Sequence, residues 1–531
     1  MEDAGASPNA SAKEAVDYAV WPPSQQMRDR LVERIATNLT AMSFFDEKTE
    51  RIDDKAAAAS AARIESTAYA AAETAGSGAL KEYANKAAEL VLAELQQKSV
   101  AAAPPAKAPT NVFDVSGGKR EKVDTKAAAE ELLKPILTAE HSYTKVVLSN
   151  KSFNQEGAQV VAAALAASKA QLTEADLSDI IAGQEEKEAL RVLEIITGAL
   201  IGSKLQSLNL SDNALGEKGV RAAKAIFENQ SSLQHLYFCN NGISPEAAAA
   251  IHELLAAPKE LRTLHFYNNM SGDDGAKILA KVVTAAPVLE DFRFSSTRVG
   301  SEGGAALASA LLSGSSLQRL DLKDNGFGPE GGMALAKALT AHPKLREAIL
   351  SDLSLEDEGS VAVAKALASR CPDLEVLDLS GNDITPKAAT AVAEAIRGKQ
   401  KLRKLNLADN DLRDRGAAVI AKVLEIGHES LEELDLTCNS LGHMGAVAAA
   451  KAVVSKPAFK LLSLNDNHIS EKGLEELQDL FQDRKEALGS LEDNDEEGEE
   501  EDEEDEEEEE GEEEEGPEAG ELAEKLGGLK V

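Results

Sequence analysis

From residue 205 the chain repeats one pattern of apolar and polar positions, LxxLxLxxNxL, in "LQSLNLSDNAL", "LQHLYFCNNGI", "LRTLHFYNNMS", "LQRLDLKDNGF", "LEVLDLSGNDI", "LRKLNLADNDL", "LEELDLTCNSL" and "FKLLSLNDNHI". Units start at 205, 233, 261, 289, 317, 345, 374, 402, 431 and 459, and two less regular ones at 143 ("YTKVVLSNKSF") and 172 ("LTEADLSDII"). The period of 28 or 29 residues is too regular for chance.

Each unit has two halves. In LxxLxL the apolar positions alternate as in a short strand, and its second and third leucines point into a common core. The asparagine that follows stands where the backbone turns, so its amide can satisfy main-chain groups of neighbouring coils. The second half, as in "GEKGVRAAKAIFENQ", has helical spacing, with Val220, Ala223, Ile226 and Phe227 on one apolar face. One unit cannot bury that face alone, so units must stack. The pattern predicts an α/β leucine-rich-repeat horseshoe of about twelve units, with parallel strands inside and helices outside.

The flanks differ. Residues 16–98 read as a small all-helical domain after a disordered stretch, 1–15. There Met27, Leu31, Ile35 and Leu39 recur every fourth residue behind Ser24, a candidate N-cap, and two Ala-rich helical patterns follow at roughly 53–76 and 78–98. Residues 99–112 form a Pro/Ala linker, the repeats occupy 113–490, and 491–531 read as an acidic disordered tail.

Composition narrows the chemistry. Hydrophobic residues make up 43% and aromatics 4%, which predicts a core of Leu, Ala, Val and Ile rather than rings. The net charge of −37 argues against nucleic acid or an anionic membrane as partner. Residues 491–516 hold 21 carboxylates and no Lys or Arg, so the rest carries −37 + 21 = −16. Three scattered cysteines suit neither a disulfide scaffold nor a metal site. No signal peptide or membrane-spanning run is evident, so a soluble intracellular protein is expected, without membrane insertion. No nucleotide-binding, hydrolase or zinc motif occurs, and the eight histidines read as surface or groove residues. What remains is a binding scaffold.

The position before each repeat asparagine holds Asp212, Asn240, Asn268, Ser296, Asp324, Asp352, Gly381, Asp409, Cys438 and Asp466. Such a column lies at the strand ends, on one rim. It is either an acidic dock for a basic protein surface or a solvated turn that favours Asp.

The repeat array with its poly-acidic tail resembles the Ran GTPase-activating protein family, and "VWPPSQQMRDRLVERIATNL" resembles the WPP domain of its plant members. That resemblance implies an activator of GTP hydrolysis on Ran, supporting nucleocytoplasmic transport, with no substrate site or cofactor of its own; GTP and Mg²⁺ belong to Ran. It implies that Asn240, in the "LYxxN" segment, acts without an arginine finger by orienting the glutamine of Ran, beside interface candidates Asp212, Asn268 and Asp324. Where family members commonly carry Gly-Arg, an interface arginine, in the unit at 172, this chain has Gln184 as the interface candidate; the lost charge either lowers affinity or is replaced by Arg191 nearby. It further implies that Trp21, Pro22 and Pro23 target the cytoplasmic face of the nuclear envelope through coiled-coil proteins, and mitotic structures such as the cell plate. Trp21 also suits a staple on its own first helix. The tail either solubilises or steers a basic partner. The rival reading is a non-catalytic scaffold or inhibitor of the ribonuclease-inhibitor type, which typically has cysteine at many repeat positions.

Overall fold

The computed structural model describes residues 111–495, apart from 118, 119, 139–142, 228, 229, 256 and 257. Of residues 1–110 it describes 54–73 and scattered positions between 22 and 94. The chain divides into two compact units, Met1–Thr110 and Asn111–Val531.

In the first unit the Ala-rich pattern forms the helix Asp54–Glu73, with Ala57, Ala61, Ile64, Ala68 and Ala72 buried along one face. Ile35 and Leu31 pack there from one helical segment, and Tyr83, Ala87 and Leu90 from another. A polar hub ties the three together. The carboxylate of Glu65 accepts from Arg28 Nε (2.7 Å), Arg28 Nη2 (2.9 Å) and the Tyr83 hydroxyl (2.6 Å). Burial alone would raise the Glu65 pKa, but these donors outweigh it and hold it low. Met27, Leu39 and Ser24 lie outside the described residues.

Among its described residues the second unit holds one parallel sheet of thirteen three-residue strands that succeed one another along the chain, and a two-stranded parallel sheet of Glu121–Val123 and Lys151–Phe153. Register follows the repeat: Leu208, Leu236, Leu264, Phe292, Leu320, Ala348, Leu377, Leu405, Leu434 and Leu462 pair in turn and are all buried. The first leucine of each unit is buried as well, Leu205 and Leu261 among them. A helix follows each of the later strands, so every coil covers its strand's core side.

Three features depart from expectation. Thirteen strands, not twelve, build the sheet, because Val112–Asp114 pairs with Lys145–Val147 ahead of the first unit seen in sequence. At the other end the coil runs past residue 490: Gly489 N donates to Leu462 O, and Asn494 Oδ1 accepts from Asn467 N. The helix containing Val220 is α-helical only over Gly216–Ala222 and tightens to a 3₁₀ turn at Ala223–Phe227, although the four apolar residues are buried as the spacing requires.

The core also uses rings, against the compositional expectation. Phe238 stacks on Phe266 (centroids 5.4 Å apart), with Phe227 and Phe294 at 6.1 and 5.8 Å on either side. Among the described residues seven phenylalanines are fully buried. Their concentration in adjacent coils stiffens one stretch of the array, directly beneath Asn240 and Asn268.

Candidate functional site

The repeat asparagine does the structural work expected of it. Asn241 is fully buried; its Nδ2 donates to Leu210 O (2.9 Å), and its Oδ1 accepts from Asn213 N (3.0 Å) and Leu215 N (3.4 Å). Its own N–H donates to Asn269 Oδ1, and the same links recur at Asn382, Asn410, Asn439 and Asn467. The coils are thereby tied to one another through side-chain amides.

The residue before the repeat-asparagine position, which Thr297 and Leu353 fill in two units, is governed by backbone geometry. Asp212, Asn240, Asn268, Ser296, Asp324, Asp352, Gly381, Asp409, Cys438 and Asp466 all have φ between 52° and 63°. That left-handed region penalises most L-residues and is best tolerated by Gly, Asn and Asp. The prevalence of Asp in the column therefore has a conformational cause before any functional one. Crowding of carboxylates still has an electrostatic consequence. Asp352 has its pKa raised by partial burial, then by Asp378, Asp324 and Asp409.

Asn240 and Asn268 interrupt that acidic run. Asn240 is exposed; its Nδ2 donates to Asp212 Oδ1 (2.9 Å), and its Oδ1 accepts from Asn268 Nδ2 (3.0 Å). Asn240, Asn268 and Asp324 line one open depression of about 660 Å³, with Met270, Ser296 and Arg298. Arg298 is exposed there, and Tyr267 and Met270 expose 42% and 49% of their surface, an unusual apolar presence on a rim. The Tyr267 hydroxyl is pushed up to about 12, by burial first and then by Cys239.

Two other sequence candidates fall elsewhere. Gln184 turns inward, its Nε2 donating to Ser152 Oγ and Phe153 O (both 3.3 Å). Arg191 sits on the helix Glu186–Gly198 and pairs with Glu194 (2.9 Å), so it does not take the place of an arginine beside the strand end. Pro22 is exposed in a bend, whereas Trp21 and Pro23 lie outside the described residues.

Sequence reasoning missed a cluster on the strands of these coils. Asp291 is buried with Arg319 Nε at 2.9 Å, Arg293 Nε at 3.2 Å and His265 Nε2 at 3.0 Å; Tyr237 meets the His265 ring edge-on, 5.0 Å away. Burial opposes ionisation of Asp291, but these three partners hold its pKa well below the usual carboxylate range. Asp291 and Arg293 share one strand, whereas Tyr237, His265 and Arg319 come from three other units, and the strand register stacks them. Three of the histidines, His265, His342 and His428, are buried rather than at the surface. His342 and His428 are buried, with Nε2 on Leu311 O (3.0 Å) and Ile396 O (2.9 Å), respectively.

Comparison with known proteins places both units. Residues 17–105 match the WPP domain model, and 203–222, 315–336, 370–393 and 398–421 match a leucine-rich-repeat model. The chain is 54% identical over 501 residues to RAN GTPase-activating protein 2 of Arabidopsis thaliana, covering 91% of this chain and 92% of that one. It is 45% identical over 237 residues to RAN GTPase-activating protein 1 of the same plant, covering 43% of this chain and 44% of that one. WPP domain-containing protein 1 of Arabidopsis thaliana is 29% identical over 98 residues, 17% of this chain and 63% of that protein.

Proposed function

The chain belongs to the plant Ran GTPase-activating proteins that carry a WPP domain, and from that premise we propose that it stimulates GTP hydrolysis on Ran by presenting Asn240 to the catalytic glutamine of the GTPase. Intrinsic hydrolysis by such GTPases is slow because the attacking water and its glutamine are loosely held. The observation that carries the proposal is the state of the Asn240 amide. A carboxamide has two N–H donors and two acceptor lone pairs. Asp212 takes one donor and Asn268 one lone pair. One donor and one acceptor remain, on an exposed residue, and this is the complement needed to grip a glutamine amide in one rotamer. The gain is pre-organisation of a group that Ran supplies. GTP and Mg²⁺ stay with Ran, and this chain contributes no cofactor.

The depression beside Asn240 supports Ran-GTP as the docking partner. Arg298, Asn268, Asp324 and the exposed Met270 offer charge of both signs, hydrogen bonds and apolar surface on one rim. The WPP unit, including Trp21, Pro22 and Pro23, would hold the activator at the cytoplasmic face of the nuclear envelope through coiled-coil proteins, outside the nucleus, with relocation to the cell plate in mitosis.

The test is single-turnover hydrolysis of GTP on Ran with catalytic amounts of the chain. Asn240→Gly is the better variant than Asn240→Ala, because glycine removes the amide and accepts φ 52° without strain. Loss of stimulation with an unchanged melting curve is the expected result. Wild-type rates in the variant would refute the role of Asn240, and no phosphate release even with the unmodified chain would favour a non-catalytic scaffold. For targeting, residues 1–110 fused to a fluorescent reporter should mark the nuclear rim in plant cells; a diffuse signal refutes it.

A further inference from the structure

We infer that Asp212 is a positioning residue for Asn240: its carboxylate, one coil away, sets which way the working amide faces. This rests on the proposed role of Asn240. A terminal amide can flip, exchanging its oxygen for its nitrogen, and an exposed asparagine has little else to stop it. Asp212 removes the ambiguity. An ionised carboxylate only accepts, so the Asn240 NH₂ must face Asp212 Oδ1, 2.9 Å away. The oxygen of Asn240 then faces the next coil, where Asn268 Nδ2 donates to it at 3.0 Å. The three side chains form a directional chain, acceptor to donor, along three successive left-handed positions (φ 61°, 52° and 55°).

Further along the same rim, Asp324 and Asp352 occupy successive positions, and two carboxylates side by side repel rather than bond; the pKa of Asp352 is raised by partial burial first and then by Asp378, Asp324 and Asp409. The order Asp–Asn–Asn is what lets neighbouring rim residues hold one another. Beneath it, Asn213 N donates to Asn241 Oδ1 and Asp212 N to Cys239 O, which fix the reach from Asp212 to Asn240, and the Phe238–Phe266 stack with Asn241 N on Asn269 Oδ1 fixes the next step to Asn268. Held in this way, the free N–H and lone pair of Asn240 point outward in one arrangement before any partner arrives.

The experiment compares Asp212→Gly, Asp212→Asn and Asn240→Gly in the full chain. Two quantities are measured: the maximal single-turnover rate on Ran-GTP at saturating activator, and the affinity for Ran loaded with a non-hydrolysable GTP analogue. Glycine keeps the left-handed backbone at 212, so folding is not at issue, and melting curves verify it. Asp212→Gly should lower the maximal rate by about tenfold, the scale of a misoriented catalytic group, and leave affinity within about twofold, since the loss lies in the transition state rather than in docking. Asp212→Asn should recover only part of the rate, between Asp212→Gly and the unmodified chain, because its amide oxygen accepts the same hydrogen bond while its NH₂ also lets a flipped Asn240 pair.

Three results would overturn the inference. One is a wild-type rate in Asp212→Gly while Asn240→Gly is inactive. Another is Asp212→Asn failing as badly as Asp212→Gly, which would make charge the relevant property. The third is affinity falling in step with rate, which would make Asp212 a docking residue. Wild-type activity in Asn240→Gly would instead overturn the reading on which this inference rests.

Discussion

Asn240 and Asn241 are adjacent and chemically identical, yet the backbone gives them opposite surroundings. Asn241 turns into the coil, where its amide serves three main-chain groups of the preceding coil. Asn241→Ala would strand those groups away from water. A loss of about 2–4 kcal/mol is expected, from more than one unsatisfied buried group, read as a lower urea midpoint with an unchanged slope. Asn240 sits one residue earlier at φ 52° with its side chain outside. Its alanine variant should cost stability through left-handed strain, about 1 kcal/mol, where glycine does not; comparing the two urea midpoints measures that strain apart from catalysis. At Gln184 the outcome is different again, because the side chain is turned inward onto Ser152 and Phe153.

At the scale of elements, the recurring problem is the helix end, where carbonyls lack partners. Several coils solve it with a side chain from the next. His342 reaches the helix Ser301–Leu311, Lys399 Nζ reaches Leu367 O (2.7 Å), His428 reaches Ile396 O, and Arg484 reaches Val454 O (2.7 Å). Cations suit these negative helix ends. Lys399→Met removes the donor to a buried carbonyl and should cost about 1–3 kcal/mol in chemical denaturation.

His342 makes one of these caps pH-dependent. Burial lowers its pKa below the ordinary 6.5, so the unfolded chain takes up the proton first. Stability from this site is therefore complete above about pH 6.5 and declines as pH falls through that value. In His342→Gln, which retains a donor for Leu311 O, melting temperature should fall less steeply between pH 7.5 and 5.5 than in the unmodified chain. Equal slopes would show that His342 takes up its proton equally in the folded and the unfolded chain.

At the scale of the whole molecule the two units have separate cores, and their stabilities should separate too. Glu65→Ala removes the buried carboxylate to which the half-buried Arg28 guanidinium and the Tyr83 hydroxyl donate, and should destabilise the N-terminal unit by about 1–3 kcal/mol. The unfolding transition of the repeat array should stay where it is, which two-transition calorimetry can read. The array's own ends are where it is most exposed to fraying. A chain cut after residue 490 loses Asn494, the acceptor for Asn467 N, and should melt below one cut after residue 495.

Much of this was legible because the repeat is periodic. The strand stack, the buried leucines and the asparagine ladder all follow from a spacing of 28 or 29 residues, since identical units can bury their apolar faces only by stacking in register. The sequence also marked Asn240, through its resemblance to a known segment, and the order of the two units. It did not reveal the opening coil at Val112–Asp114 or the closing turn at Asn494, whose local patterns are too short and irregular to stand out. Nor could it tell acidic docking from turn preference in the rim column; the left-handed φ values identified the backbone as the first cause. The Asp291 cluster, the helix-capping histidines and the Asp212–Asn240–Asn268 chain join residues about one coil apart in sequence. Periodicity says that such residues are neighbours, but whether they pair depends on side-chain direction and on distances of about 3 Å, which only the packed coils decide.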